Sequence, residues 1–169
     1  MAMSMYQASV PALTHMLGNL RNILQKAAAH VEAKKLDPSA LINFRLFPDM
    51  FPLSRQVQIA TDMSKACVAR LAGQEPPKWE DNEKTFDELL ARIDKARDFL
   101  KGFKPAQIDG SEEREVVLKS PRGEMKFKGE PFLNHFILPN FYFHCATAYN
   151  ILRHNGVDIG KMDFIGPVQ

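Results

Sequence analysis

The sequence predicts an all-α protein, a four-helix bundle with a small β-hairpin inserted before its last long helix. Three patterns carry this expectation. Val10, Leu17, Leu24 and Val31 recur every seven residues, and Leu13, Leu20 and Ala27 form a second series with the same spacing. Together they draw one apolar stripe along a helix, at a spacing that favours near-parallel bundle packing. Thr85-Phe86-Asp87-Glu88 matches a capping box, in which the first and fourth side chains satisfy free N–H groups reciprocally. From Glu115 to Lys128 the apolar period shortens to two, the signature of paired strands.

Each element follows in order. The first helix is expected from Ser9 to Leu36, with Pro11 in its first turn, where a missing N–H does no harm. Asp37-Pro38 is expected to cap a short helical piece through Phe44. After Asp49-Met50-Phe51-Pro52 a second long helix should run to Ala72. Its inner face is Val57, Ala60, Met63 or Ser64, Cys67 and Leu71, and Gly73 ends it. Gln74 to Lys84, with Pro76-Pro77, reads as a loop. The third helix runs from Thr85 to Lys101 on a stripe of Phe86, Leu89, Ile93, Ala96 and Leu100. In the hairpin, Val116 and Leu118 alternate, then Met125 and Phe127, around a Ser120-Pro121-Arg122-Gly123 turn. The fourth helix spans Phe132 to Asn155, and it either starts near Leu138 or kinks at Pro139. The tail from Val157 to Gln169 is apolar enough to dock on the bundle.

The chain of 169 residues, with 45% apolar and 25% charged residues, has the size of one domain, residues 1–169. A net charge of +2, with both signs interspersed, argues against a nucleic-acid partner. No run of 18 apolar residues is present, so no membrane span is expected. The first residues, Met1 to Tyr6, have neither the basic start nor the apolar core of a signal peptide. Cys67 and Cys145 sit in apolar runs and read as buried thiols in a reducing compartment, so the cytoplasm is expected.

The chemistry concentrates on the fourth helix. Phe136, Asn140, His144, Thr147 and Ile151 form one row, and a polar trio in an apolar row must either pair internally or line a wet pocket. Gln58 and Asp62 share a face of the second helix, and that face is expected to meet Asn140 and His144. Of the five histidines no two are spaced i, i+4, which argues against a preformed metal site. His144 and Cys145 are helix neighbours and point about 100° apart, so they are not a thiol–base pair. No P-loop, GxSxG or Rossmann glycine pattern occurs. The twelve phenylalanines include more than one core needs, and a homodimer face is expected for some of them.

Several segments also carry a resemblance: Asp49-Met50-Phe51-Pro52-Leu53, Gln56-Val57-Gln58, Pro139-Asn140-Phe141-Tyr142-Phe143-His144, Tyr149-Asn150-Ile151-Leu152-Arg153, and Gly156 through Phe164. Over nearly its whole length the chain resembles the DinB/YfiT-like metalloenzyme superfamily of four-helix bundles, and within it a bacterial family of unknown function. The resemblance implies an up-down-down-up bundle, frequent dimers, and zinc or nickel held by three histidines, one on the second helix and an HxxxH pair on the fourth. It also implies thiol-dependent transferases or isomerases among its members. In this sequence those three positions fall on Gln58, Asn140 and His144, and amides are poor ligands for such ions.

The expectation is therefore a bundle binding a small polar ligand in a central pocket, where the implied metal triad is degraded, through Gln58, Asn140, His144, Asp62 and Tyr149, without a metal. One alternative is a divergent transferase or isomerase. There His144 is general base, or the metal ligand with Gln58 and Asn140 on zinc or nickel, and Tyr149, Asp49 or Asp62 assists. The other alternative is a non-catalytic structural or interaction dimer.

Overall fold

The computed structural model describes residues 3–121 and 123–167. Eight α-helical segments and one hairpin appear among them: α1 Met5–Lys34, α2 Pro38–Ile42, α3 Leu53–Leu71, α4 Phe86–Lys101, α5 Pro105–Ile108, β1 Glu115–Ser120, β2 Gly123–Lys128, α6 Gly129–Pro131, α7 Leu138–His154 and α8 Lys161–Ile165. A π-helical segment, Phe132–Ile137, leads into α7.

The seven apolar stripe residues of α1, from Val10 to Val31, are all buried. The helix begins four residues before the expected Ser9. Ser4 caps it, accepting from the Gln7 N–H while Gln7 answers the Ser4 N–H, and this reciprocal box outweighs the start signal of Pro11. Pro11 thus lies inside the helix, and Leu36 falls outside it, since Lys35 adopts a left-handed cap with φ 54°. The Thr85–Glu88 capping box forms, with Thr85 Oγ1 3.2 Å from the Glu88 nitrogen. Gly73 and Gly156 end α3 and α7 at φ 74° and 83°, a region open to glycine.

Contacts fix the helix directions. Arg21 of α1 meets Asp94 of α4 at 2.8 Å, and Gly18 lies against Arg97, so these two helices are antiparallel. Gln56 of α3 bonds His144 of α7, while Leu71 at the other end of α3 packs beside Gly129, so that pair is antiparallel too. Arg92 of α4 reaches Thr61 and Asp62 of α3, and Glu83 just before α4 reaches Gln58. Hence α3 and α4 are parallel, and the bundle runs up-down-down-up.

Parallel neighbours need a connection that returns along their length, and residues 72–85 supply it. Arg92 holds this crossover. Its side chain is 2% exposed, and it makes five polar contacts: Thr61 Oγ1 at 2.8 Å, the Glu80 carbonyl at 2.7 Å, Glu83 at 2.9 Å, Asp62 at 3.1 Å and Asp81 at 2.9 Å. Arg55 also pairs with Asp81. A buried guanidinium is tolerated when every donor finds an acceptor. Trp79 packs edge-on to Phe99 and is flanked by the Lys65 and Lys95 ammonium groups, which tacks down the middle of the crossover.

The hairpin pairs Glu115 with Lys128 through Ser120 with Gly123, as the alternation predicts. Arg122 of the expected turn lies outside the described residues, as do Met1 at the start and Gln169 at the end of the predicted tail. Phe127 joins Phe132 and Phe136 in a ring cluster at 5.2–6.0 Å between centroids, so the strands rest on the bundle. The tail docks on α1, where Asn19 donates to the Phe164 and Ile165 carbonyls at 3.0 and 2.8 Å. No helix among the described residues is long and apolar enough to cross a membrane.

Replacing Arg92 by Met leaves Glu83 without a cation and reduces Asp62 and Asp81 to one each, Lys65 and Arg55. Destabilisation of about 3 kcal/mol, the lower end of the range for breaking a buried ion pair, should appear in urea denaturation. Gly129→Ala is expected to destabilise as well, because a Cβ there overlaps the Ser111 carbonyl oxygen. Amide exchange should then rise at the base of the hairpin.

Candidate functional site

The predicted site begins with how α7 starts. Pro139 cannot donate to a carbonyl four residues back, and the chain meets this with a wider turn: the Leu138 N–H bonds the Leu133 carbonyl, five residues back. The α-helix proper starts at Leu138, the first of the two expected outcomes, and the π-helical segment leads into it without a break. Phe136 lies ahead of the wide turn and drops out of the expected row, while His144 on α7 faces α3.

His144 is buried, with 9% of its surface exposed. Its Nδ1 lies 2.6 Å from Gln56 Oε1. The Gln56 Nε2 donates to the Phe51 carbonyl at 2.9 Å. A backbone carbonyl can only accept, so the amide is oriented with Oε1 toward the ring, and His144 Nδ1 carries the proton. Nε2 is then the lone-pair nitrogen, and no protein group among the described residues hydrogen-bonds it. Burial first, and the Arg55 charge second, hold the ring's pKa below its ordinary 6.5. The arrangement is a neutral imidazole of fixed tautomer, presenting one acceptor.

The other predicted residues go elsewhere. Gln58 does not turn to His144; its Nε2 donates to Glu83 at 3.0 Å and its Oε1 accepts from Arg55 at 3.4 Å. Asp62 accepts from Lys65 at 2.8 Å and from Arg92 at 3.1 Å. The Gln58–Asp62 face therefore meets the crossover and α4, not Asn140 and His144. Asn140 donates to the Phe136 carbonyl and Thr147 to the Phe143 carbonyl, at 2.7 and 2.8 Å. Each side chain thus satisfies itself on its own helix. Tyr149 packs edge-on to Phe164 of the docked tail, 5.9 Å between centroids. Asp49 is exposed in the loop before α3.

Two residues that shape the site lacked a prediction. Gln56 is two positions from Gln58 and so points about 200° away; only one of the pair can face α7. Arg92 sits in the apolar stripe of α4, three after Leu89 and four before Ala96, and its burial is legible from that placement. Both cysteines are free and buried, and burial pushes their thiols far up, which keeps them protonated. Among the described residues no three His, Cys, Asp or Glu side chains converge in a way that could hold a metal ion.

The up-down-down-up bundle with a hairpin ahead of its last long helix is a DinB-like fold. A crystal structure of a DinB family member protein from Shewanella denitrificans is 43% identical to this chain, with a TM-score of 0.88, over 96% of this chain and 92% of that one. The chain also matches the model of DUF1993, a domain of unknown function, over residues 5–165, and it belongs to that family. No curated protein matches it.

A lowered pKa in the fold means that folding favours the neutral ring. Its contribution is whole above the unfolded value near 6.5 and is lost as pH falls below that toward the folded value. His144→Gln should therefore narrow the loss of stability between about pH 7 and pH 5. Equal pH slopes in the two proteins, measured by denaturation, would contradict the burial of a neutral imidazole.

Proposed function

We propose that this protein binds a small polar molecule, with His144 Nε2 as the atom that recognises it, and that it does so without a metal. The observation that carries the reading is the Phe51–Gln56–His144 chain of hydrogen bonds. It spends two buried polar groups on fixing one ring and leaves a single acceptor. Such an acceptor suits a hydroxyl or N–H donor. Phe51 and Phe143 flank this chain at 51% and 55% exposure and offer apolar surface for the rest of the ligand.

Zinc or nickel fits this donor set poorly. Of the three superfamily positions only His144 offers a nitrogen lone pair. Gln58 is engaged by Glu83 and Arg55, and Asn140 by its own helix. The Arg55 charge, near enough to lower the His144 pKa, also opposes a dication at Nε2.

Exposed rings at Phe47, Phe51, Tyr142 and Phe143 support a homodimer as the assembled form, with the ligand between copies or beside the interface. The two buried, protonated thiols are in keeping with a cytoplasmic setting.

The test is a thermal-shift screen of small alcohols, amines and amides on untagged protein, with metal analysis of the same preparation. Compounds that stabilise the native protein should lose at least half of that stabilisation in both His144→Phe and Gln56→Leu. Stoichiometric zinc or nickel that disappears in His144→Ala would overturn the reading, as would hits indifferent to both substitutions.

A further inference from the structure

We propose that a groove between α1, α4 and the docked tail is a second site, which takes an elongated carboxylate with an apolar chain. The groove has a volume of about 850 Å³, within the range of ligand pockets. Along α1 it is lined by Tyr6, Val10, Thr14, Gly18 and Asn22, every fourth residue over about 24 Å of helix.

The polar end is built around Arg97. Its guanidinium lies over Gly18, where a Cβ would stand 3.7 Å from it; a larger side chain there would push it out. Among the described residues no hydrogen bond uses any of the Arg97 donors, and its Nε is enclosed without a partner. Its one ion pair, with Asp94 of the same helix, is long at 3.7 Å, and that carboxylate takes its short hydrogen bond from Arg21 Nε at 2.8 Å. Arg92, one turn and a residue earlier on the same helix, has every nitrogen engaged. The contrast marks Arg97 as a cation with one long ion pair and unused hydrogen-bond donors that an anion from outside could take.

Thr14 adds a second unmet donor. Its hydroxyl is enclosed and unpartnered, whereas those of Ser9, Thr61, Ser64 and Thr147 each donate to a carbonyl three or four residues back. A χ1 rotation that turns it to a ligand gives up no hydrogen bond. No Asp or Glu is among the lining residues, and Lys101 contributes another positive charge; its pairing with Asp98 is exposed and weak. Asp109, at the far end, is occupied by the Tyr6 N–H at 2.8 Å. That far end is apolar, with Tyr6, Val10 and Pro11. Charge at one end and apolar surface at the other select an amphipathic carboxylate over an inorganic anion.

Decanoate below its micellar concentration is the probe, read by ¹⁵N–¹H NMR on the full chain. Saturable shifts are expected at Gly18, Asn22 and the Arg97 Nε, with methyl decanoate binding about ten-fold more weakly, the worth of one charge-assisted hydrogen bond. Arg97→Gln should weaken decanoate by a similar factor and Thr14→Val by a smaller one, while His144→Gln leaves it unchanged. That last control separates this site from the one at His144. Equal binding of acid and ester, indifference to Arg97→Gln, shifts centred on His144, or no saturable shift at millimolar decanoate each overturn the proposal. If Arg97→Gln fails to fold, the acid–ester comparison on the native chain decides.

Discussion

Two parallel helices cannot be joined by a short turn, and this constraint organises the rest of the molecule. The crossover from α3 to α4 must travel back along the bundle as irregular chain, carrying backbone groups and charges across an apolar surface. Arg92 resolves the conflict from the inside. One side chain supplies donors to a backbone carbonyl and two carboxylates of the crossover and to two side chains of α3. The charges balance locally: Arg92, Arg55 and Lys65 face Asp62, Asp81 and Glu83. A hydrophobic residue at 92 would pack the stripe equally well and leave the crossover without an anchor.

The clamp also decides what α3 has left for α7. Gln58 and Asp62 belong to the crossover side, so the helix face turned to His144 is read out by Gln56 alone. Gln58 is tied to Glu83. That residue thereby serves the fold, and α7 keeps one ring with one open nitrogen. Chemistry and scaffold are thus divided between residues two apart on one helix.

Most of the fold was legible because its signals are local. The stripe of α1, the Thr85–Glu88 box and the period-two hairpin each report a few neighbouring residues, and each element formed as expected. The start of α1 lies earlier than the sequence suggests because the Ser4–Gln7 box precedes Pro11. The site was less legible. Which of two glutamines faces a histidine 88 residues further along is a matter of helix phase. Asn140 and Thr147 resemble pocket residues in a row, yet both close onto their own backbone. Spacing shows which residues share a face, and only the packed structure shows what that face meets.

The wide turn ahead of Pro139 has a geometric consequence. A π turn adds one residue to a helical revolution, so the segment before it is out of phase with α7 by roughly one residue's rotation, about 100°. Phe132 and Phe136, stacked with only 17° between their planes, therefore meet Phe127 of the hairpin on an azimuth independent of the one that aims His144 at Gln56. The turn acts as a rotary joint frozen between two bearings: it lets one continuous rod present its aromatic seat in one direction and its imidazole in another, so that neither contact dictates the angle of the other.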